Sequence, residues 1–575
     1  MSRGTNHRPF IAAVKAGLLH ALLMAAAFPP LHLPPLALVA AVPLMLLTYR
    51  TTRPWRSALG AALGSLPFWA LTHWWIADIT DAGLPVLLLY LCLYPGLYVW
   101  LGTHLPLSRL GPAARPLALA ALWTALEFLR AEIVWHGYPW YLIAHPLAGC
   151  LVSIVAASLG QYAVSFLVAW INAGVCRVLA TPRTERRFGR GFLIRMFLVL
   201  VAAAPRISAP WSESLGPIAV VQTNIPQSNK DSPDLDTRLS DFSTMLRLTS
   251  EAAHAPEKPA LIVWPETMFP GNSLSPDVVA EERRSGLGYP SHRFALTEWH
   301  DQLMDVQRSL GVPMLIGSMG IDGFRIITDD SGPRIEYDAR YNSAYVLDQG
   351  TVLSPRYDKA HLTPFGEVMP YISAWPWLER NLLALGAQGM TFDLKAGDAR
   401  RALDVPYEGD TLTVAVPICF ESTMPTVVRS LVRNSTSTGG SGVPASLIIN
   451  ITNDGWLSGS VAARRNFVLN CRWRCIELGV PMVRAANTGI SCVIDARGRV
   501  VVEGPNLGEP KPDADALVEG VLSARVPYDG GPGSTLYSRI GDWFGPAVFI
   551  VGLGLAGLSI LNARSGGRTS PPALA

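Results

Sequence analysis

Three stretches of this chain end an apolar, β-type run in a side chain able to do chemistry. Leu261-Ile-Val-Trp-Pro-Glu266 sets a carboxylate directly after Pro265. Tyr357-Asp-Lys359-Ala-His-Leu-Thr-Pro-Phe-Gly-Glu367 carries an amine and a second carboxylate, and Val414-Ala-Val-Pro-Ile-Cys419-Phe-Glu421 carries a thiol and a third. A thiol that attacks an acyl carbon needs a base to remove its proton. The tetrahedral oxyanion that follows needs a fixed positive group or backbone N–H donors. Glu, Lys and Cys can divide those tasks without a histidine. Taken singly each has an ordinary reading: a Cys beside Pro417 is a small core residue, a loop lysine is solvated, and a Glu after Pro suits a helix start.

The elements around these endings form an α/β pattern. Short apolar runs at 218–222, 260–264, 314–317, 343–347, 412–416, 447–450 and 492–495 alternate with helical stretches at 239–253, 300–310 and 462–478. Nearly continuous apolar strands between helices imply sheets buried on both faces. Polar residues just beyond the strand ends stand where such folds place their chemistry.

The rest of the chain is of another kind. Half of the 575 residues are hydrophobic and only 16% are charged. Windows long and apolar enough for a bilayer lie near 11–29, 35–49, 57–77, 84–104, 115–131, 159–177, 191–205 and 543–562, which makes about eight expected spans. One span follows another, so the first is expected to stay rather than be cleaved as a signal peptide. Arginine fixes the orientation. With the N-terminus inside, the cytoplasmic segments hold Arg50, Arg53, Arg56, Arg109, Arg115, Arg177 and Arg183–Arg190, whereas the opposing loops at 30–34, 78–83 and 132–158 hold no Lys or Arg. The expected division is a seven-span helical domain over 1–205, an extracytoplasmic catalytic domain over 206–540, and a final span with a cytoplasmic tail over 541–575. Net charge is +3, and no basic stretch alternates with aromatics, which argues against nucleic acid.

The order Trp-Pro-Glu, Lys-x-His-Leu-x-Pro-Phe-Gly-Glu, Cys-Phe-Glu, Asn-Asp-Gly-Trp and Asn-Thr-Gly-Ile resembles the carbon–nitrogen hydrolase (nitrilase) superfamily. The Lys359–Glu367 string and the flanking spans make the chain similar to the apolipoprotein N-acyltransferase family in particular. The resemblance implies a nitrilase-like four-layer αββα sandwich on a multi-pass α-helical membrane domain, at the periplasmic face of the cytoplasmic (inner) membrane. It implies Glu266 as general base, Lys359 as oxyanion stabiliser and Cys419 as nucleophile, with Glu367, Glu421 and Phe420 in support. The implied reaction moves a fatty acyl chain from a phospholipid, through a cysteine thioester, to the N-terminal amine of a diacylated apolipoprotein. No metal or soluble cofactor is implied, and a monomer is expected. A tethered amidase that passes its acyl group to water, and a partner protein without activity, are the competing classes. All three triad residues being present speaks against the second of these.

Some positions depart from the family pattern. Phe420 stands where a Tyr is common, Asp231 where a Trp is frequent, and Asn466-Phe467 where a Gln-His pair is usual. The seven cysteines include Cys471 and Cys475, four apart on one helix, where packing is favoured over a metal pair for want of further ligands. Glu127 and Arg130, three apart at the end of the fifth window, either pair with each other or serve function. The Gly137-Tyr-Pro-Trp140 loop beyond them reads as an interfacial anchor or part of the site.

Overall fold

The computed structural model describes residues 8–564 apart from 108–109, 112–113, 182–200, 202–203, 205–212, 232–233, 290–291, 331, 373–374, 376, 378–392, 435–443, 505–517 and 529–534. Among the described residues four helices are long and apolar enough to cross a membrane: Pro9–Ala27, Gly83–His104, Gln161–Ala180 and Phe544–Arg564. Three other expected windows are helical in a different form. The 35–49 window is broken into Pro34–Leu36, Ala37–Ala40 and Val42–Arg50, with Pro43 opening the last piece. The 57–77 window falls on Pro54–His73, which contains Pro67. The 115–131 window falls on Ala114–Phe128, continued by a π-turn over Leu129–Ile133. Of the 191–205 window only 201 and 204 are described.

Small residues set the spacing of these helices. In the Pro54–His73 helix Gly60 and Gly64 are four apart, and a Cβ on Gly64 would stand 2.3 Å from the Val14 carbonyl oxygen of the first helix. Close backbone approach of this kind replaces the hydrophobic drive that lipid does not supply.

Glu127 stands in the Ala114–Phe128 helix and Arg130 in the π-turn that continues it. Both are buried, and each bonds the loop that follows. Arg130 Nη1 donates to the carbonyls of Tyr138 (3.1 Å) and Trp140 (2.7 Å), and Glu127 Oε1 accepts from the Ile143 amide at 2.8 Å. His73 Nε2 lies 2.7 Å from the Tyr138 hydroxyl. The Gly-Tyr-Pro-Trp loop is thus held from beneath by the helices.

Among the described residues, two six-stranded sheets form the centre of the α/β part. The first sheet contains β1 (Glu213–Gln222), β2 (Leu261–Val263), β3 (Met314–Asp322), β4 (Ala339–Asp348) and β5 (Thr351–Asp358). The second contains β6 (Leu403–Tyr407), β7 (Asp410–Ala415), β8 (Leu447–Thr452), β9 (Met482–Ala486), β10 (Cys492–Ile494) and β11 (Val500–Glu503), and β12 (Gly520–Tyr528) returns to the first. The orders are β12-β1-β2-β3-β4-β5 and β6-β7-β8-β9-β10-β11. Parallel pairs (β1/β2, β2/β3, β7/β8, β8/β9) make the centres and antiparallel pairs the flanks.

Side-chain alternation explains the layering. Ala219, Val221, Ile262, Trp264 and Ile316 pack with Phe242, Met245, Trp299 and Leu303 of the helices Leu235–Ala253 and Glu298–Leu310. Their neighbours Ile218, Val220, Leu261, Val263 and Leu315 face a core shared with Val405, Val414 and Ile448 of the second sheet. That sheet is covered in turn by Pro425–Arg433 and Val461–Leu478. The result is helix, sheet, sheet, helix. The Val461–Leu478 helix also meets the connection between two membrane helices: Phe467 stands 5.5 Å from Trp140, and Trp473 Nε1 donates to the His145 carbonyl at 3.2 Å. Cys471 and Cys475 are buried in this packing, with Cys471 Sγ 3.6 Å from Ser422 Oγ.

Candidate active site

The ends of β2, β5 and β7 bring Glu266, Lys359 and Cys419 together. Glu266 follows β2 where the backbone passes close to β3; a Cβ on Gly317 would stand 2.4 Å from the Pro265 carbonyl oxygen, so only glycine fits there. Glu266 is 5% exposed. Its Oε1 accepts from Asn342 Nδ2 at 2.6 Å and its Oε2 from the Asn453 amide at 2.7 Å. Lys359, 1% exposed, places Nζ 2.7 Å from Glu367 Oε2 and 3.6 Å from Glu266 Oε1, with Thr363 Oγ1 at 3.3 Å. Burial alone would lower the Lys359 ammonium, but Glu367, Glu266 and Cys419 outweigh it and hold it above its ordinary range. Burial likewise opposes ionisation of Glu367, and the ammonium overcomes it, so Glu367 lies below the usual carboxylate range.

Cys419 opens a 3₁₀ turn, Cys419–Thr423, and has φ of +49°. A non-glycine residue held there costs about 1–3 kcal/mol, a strain that persists only when its surroundings enforce it. Here they do. Glu421 is fully buried beneath the turn and accepts from the amides of Ile418 (2.8 Å), Ala360 (2.8 Å) and His361 (2.9 Å) and from the Tyr357 hydroxyl (2.8 Å). It therefore ties the Lys359 loop to the Cys419 turn, although burial raises its carboxyl to about 7. Asn450 Nδ2 holds the Pro417 carbonyl at 2.9 Å. Burial pushes the Cys419 thiol up, the Glu266 carboxylate adds to this, and Lys359 pulls the other way. Glu266 and Lys359 are the two charged groups that act on the thiol most strongly.

Phe420 stacks against His361, centroids 6.1 Å apart and planes 16° from parallel. Burial, helped by Arg400, lowers the His361 imidazole to about 4, so the ring beside Phe420 is neutral. Phe467, at a position departing from the family pattern, lies beneath the Arg484 guanidinium, 4.3 Å from its ring centroid. Asn466 is buried beside it, and Asp231 closes the short helix Gln227–Asp231.

Residues outside the three strand endings complete the frame. Asn342, Asn453, Asp454, Arg484 and Asn487 form a buried polar layer. Arg484 Nη2 bonds both Asp454 oxygens (2.8 and 2.7 Å), and Thr452 Oγ1 donates to Asp454 at 2.9 Å. Asn487 accepts from Thr223 and Ile225 at the end of β1 and donates to Asn453 Oδ1 at 2.9 Å, locking the sheets together at the site. Asn453, Asp454 and Asn487 sit in the Asn-Asp-Gly-Trp and Asn-Thr-Gly-Ile strings, which gave a signal without a role. Asn342 and Arg484 gave none. Among the described residues no group of three or more His, Cys, Asp or Glu side chains is placed to hold a metal ion.

Comparison with known proteins agrees with this architecture. Residues 20–174 match the family model described as the apolipoprotein N-acyltransferase N-terminal domain, and 217–510 that of carbon–nitrogen hydrolase. A protein of Bordetella bronchiseptica described as apolipoprotein N-acyltransferase is 30% identical over 529 residues, 86% of this chain and 83% of its own length. The chain belongs to the apolipoprotein N-acyltransferase family. A family member of Geobacter metallireducens is 28% identical and spans 93% of this chain and 92% of its own. Among solved structures, the carbon–nitrogen hydrolase of Helicobacter pylori G27 is similar at 14% identity, with a TM-score of 0.34, over 54% of this chain and 88% of that one. In this member of the family the loop between membrane helices and the catalytic frame touch directly: Tyr371 donates to the Ile133 carbonyl at 3.1 Å, and Trp135 lies 5.4 Å from Phe365.

Proposed function

We propose that this protein transfers a fatty acyl chain from a membrane phospholipid, by way of a thioester on Cys419, to the N-terminal α-amino group of diacylglyceryl-cysteine in apolipoproteins, the last step in lipoprotein maturation. Glu266 takes the Cys419 proton as the sulfur bonds the ester carbonyl carbon. Lys359, its ammonium fixed by Glu367, stabilises the oxyanion. Collapse breaks the ester C–O bond, and Glu266 returns the proton to the departing lysophospholipid oxygen. The acceptor amine then attacks the thioester, loses a proton to Glu266, and the C–S bond breaks to restore the thiol. Donor and acceptor need not be bound together, so the kinetics are ping-pong.

The observation that carries this reading is the strained Cys419 turn set among a buried carboxylate and a buried ammonium, in a chain of this family whose α/β part rests on apolar helices. Both substrates bear acyl chains, and such helices bring the site to the lipid in which they reside. Eight spans, the division at about 205 and 540, a periplasmic catalytic domain and a monomeric state belong to the same reading. Its test is the mass of the Cys419 peptide after the purified protein meets phospholipid alone. An acyl-sized, hydroxylamine-labile increase is expected, with one lysophospholipid released per enzyme, cleared by a diacylated lipopeptide with a free amine and not by its N-acetylated form. Continuous fatty-acid release without acceptor would make the protein a hydrolase, and an unmodified Cys419 during turnover would remove the covalent mechanism.

A further inference from the structure

The nucleophile turn is anchored at both ends, and the anchor at its exit is tied to a membrane helix. The entry is held within the catalytic frame, by Asn450 on the Pro417 carbonyl and Glu421 on the Ile418 amide. The exit is held by Arg474, whose Nη1 donates to the carbonyl of Thr423, the turn's last residue, at 2.8 Å. Arg474 is fully buried on the Val461–Leu478 helix. Its other terminal nitrogen lies 2.9 Å from Oε1 of Gln161 and 2.7 Å from Oε2 of Glu477. Gln161 is the first residue of the Gln161–Ala180 helix, one of the four able to cross a membrane. It is 1% exposed, its backbone amide donates to Glu477 Oε1 at 2.8 Å, and its Oε1 also lies 3.2 Å from His145 Nε2. A second contact reaches the same end of the turn: a Cβ on Gly137 would stand 2.9 Å from the Met424 methyl carbon, so the loop after the Ala114–Phe128 helix packs against the residue that follows Thr423.

We propose that Gln161 is a positioning residue for the nucleophile, acting through Arg474 on Thr423 to hold the Cys419 turn in register with Glu266 and Lys359. A planar guanidinium can serve Thr423 and Glu477 together only in one orientation, and the Gln161 oxygen fixes it in the plane. Without that oxygen Arg474 is free to turn toward Glu477, and the Thr423 carbonyl loses its donor. The turn stores strain at Cys419 and relaxes when either anchor loosens. Misplacement of a reacting atom by about 1 Å costs on the order of 100-fold in rate. A membrane helix thus helps to set the geometry of the reacting thiol, because the Arg474 that the catalytic frame aims at Thr423 is itself held by Gln161.

This inference rests on Cys419 being the nucleophile and not on the identity of the acyl donor, so its probe is a small activated ester, p-nitrophenyl acetate. The full-length protein in detergent is mixed with the ester, and nitrophenolate release in the first turnover is followed together with acetylation of the Cys419 peptide. Gln161→Leu should lower the single-turnover rate constant about 10- to 100-fold. The half-saturating ester concentration and the thermal midpoint should stay near those of the unaltered protein. Gln161→Glu, which keeps an oxygen at the same reach, should restore most of the rate. Should Gln161→Leu fail to insert, Arg474→Lys carries the test, since it keeps a charge against Glu477 but cannot serve Thr423 and Gln161 at once; a similar fall is expected. An unchanged rate in Gln161→Leu or Arg474→Lys, or equal loss in the Leu and Glu variants, overturns the proposal. An unaltered protein acetylated by the ester but not acylated by phospholipid would refute the proposed donor and leave this test intact. No acetylation of Cys419 at all would remove both.

Discussion

Asn342 donates its side-chain amide to two carboxylates at once, Oε1 of Glu266 at 2.6 Å and Oε1 of Glu367 at 3.2 Å, while its carbonyl accepts from the Lys359 amide at 2.8 Å. One strand residue therefore bonds Glu266, Glu367 and the backbone of Lys359 together. Asn342→Leu keeps the strand and the approximate volume but leaves both carboxylates short of a donor. Acylation of Cys419 should fall about 10- to 100-fold, with the protein still inserted. A variant that acylates at the unaltered rate would make Asn342 a packing residue only.

Glu266→Gln retains shape and removes the proton acceptor, and Lys359→Met removes the charge nearest the oxyanion. An oxyanion donor is typically worth about 10²–10³ in rate, and a positioned base contributes on a similar scale. Both variants should insert and fail to accumulate acyl-enzyme over the time in which the unaltered protein is fully modified. Near-normal acylation in either one would withdraw its assigned role.

The Asp454–Arg484 pair is fully buried on both sides. Removing one partner of such a pair strands the other charge, at a cost of about 3–5 kcal/mol, whereas replacing both with apolar groups is often neutral. Asp454→Ala should lower the thermal midpoint in detergent sharply, and the double variant Asp454→Ala/Arg484→Met should recover much of it. Equal midpoints for the single variant and the unaltered protein would show that the pair is already hydrated.

How much of this was legible follows from where information is local. Glu266, Lys359 and Cys419 each have an ordinary reading taken singly and stand out through the order of the motifs that hold them, and the structure brings the three together. Strand β9 does not, because Arg484 at its centre breaks the apolar pattern, and its partner Asp454 lies 30 residues away in another loop. Strand β12 pairs with β1 across some three hundred residues, and its mixed polar sequence gives no sign of that neighbour. Asn342 sits inside a buried strand run, where a polar residue has no local signature of function. Glu127 and Arg130, three apart, leave two readings open, and the bonds both make to the loop beyond the π-turn have no signature in that spacing.

The orientation rests on arginine distribution and can be read directly. A reporter active only outside the cytoplasm should be active when fused near residue 230 and silent when fused after Arg187. The reverse pattern would place the catalytic frame in the cytoplasm.

The thiol itself supplies the last test. Burial first, and then the Glu266 carboxylate, push the Cys419 thiol above its ordinary range, while Lys359 draws it down without prevailing. Only thiolate reacts with iodoacetamide, and well below the thiol's pKa its fraction grows tenfold per pH unit. Alkylation of Cys419 should therefore rise about tenfold per unit between roughly pH 7 and pH 9, with no plateau. In Lys359→Met the larger of the two influences that lower the thiol is gone and only the Thr452 hydrogen bond remains, so alkylation at any fixed pH in that window should be slower. A plateau already reached near neutral pH would instead describe a resting thiolate paired with the Lys359 ammonium. Glu266 would then have no proton to remove in the first step, and its role as base would be confined to the attack of the acceptor amine.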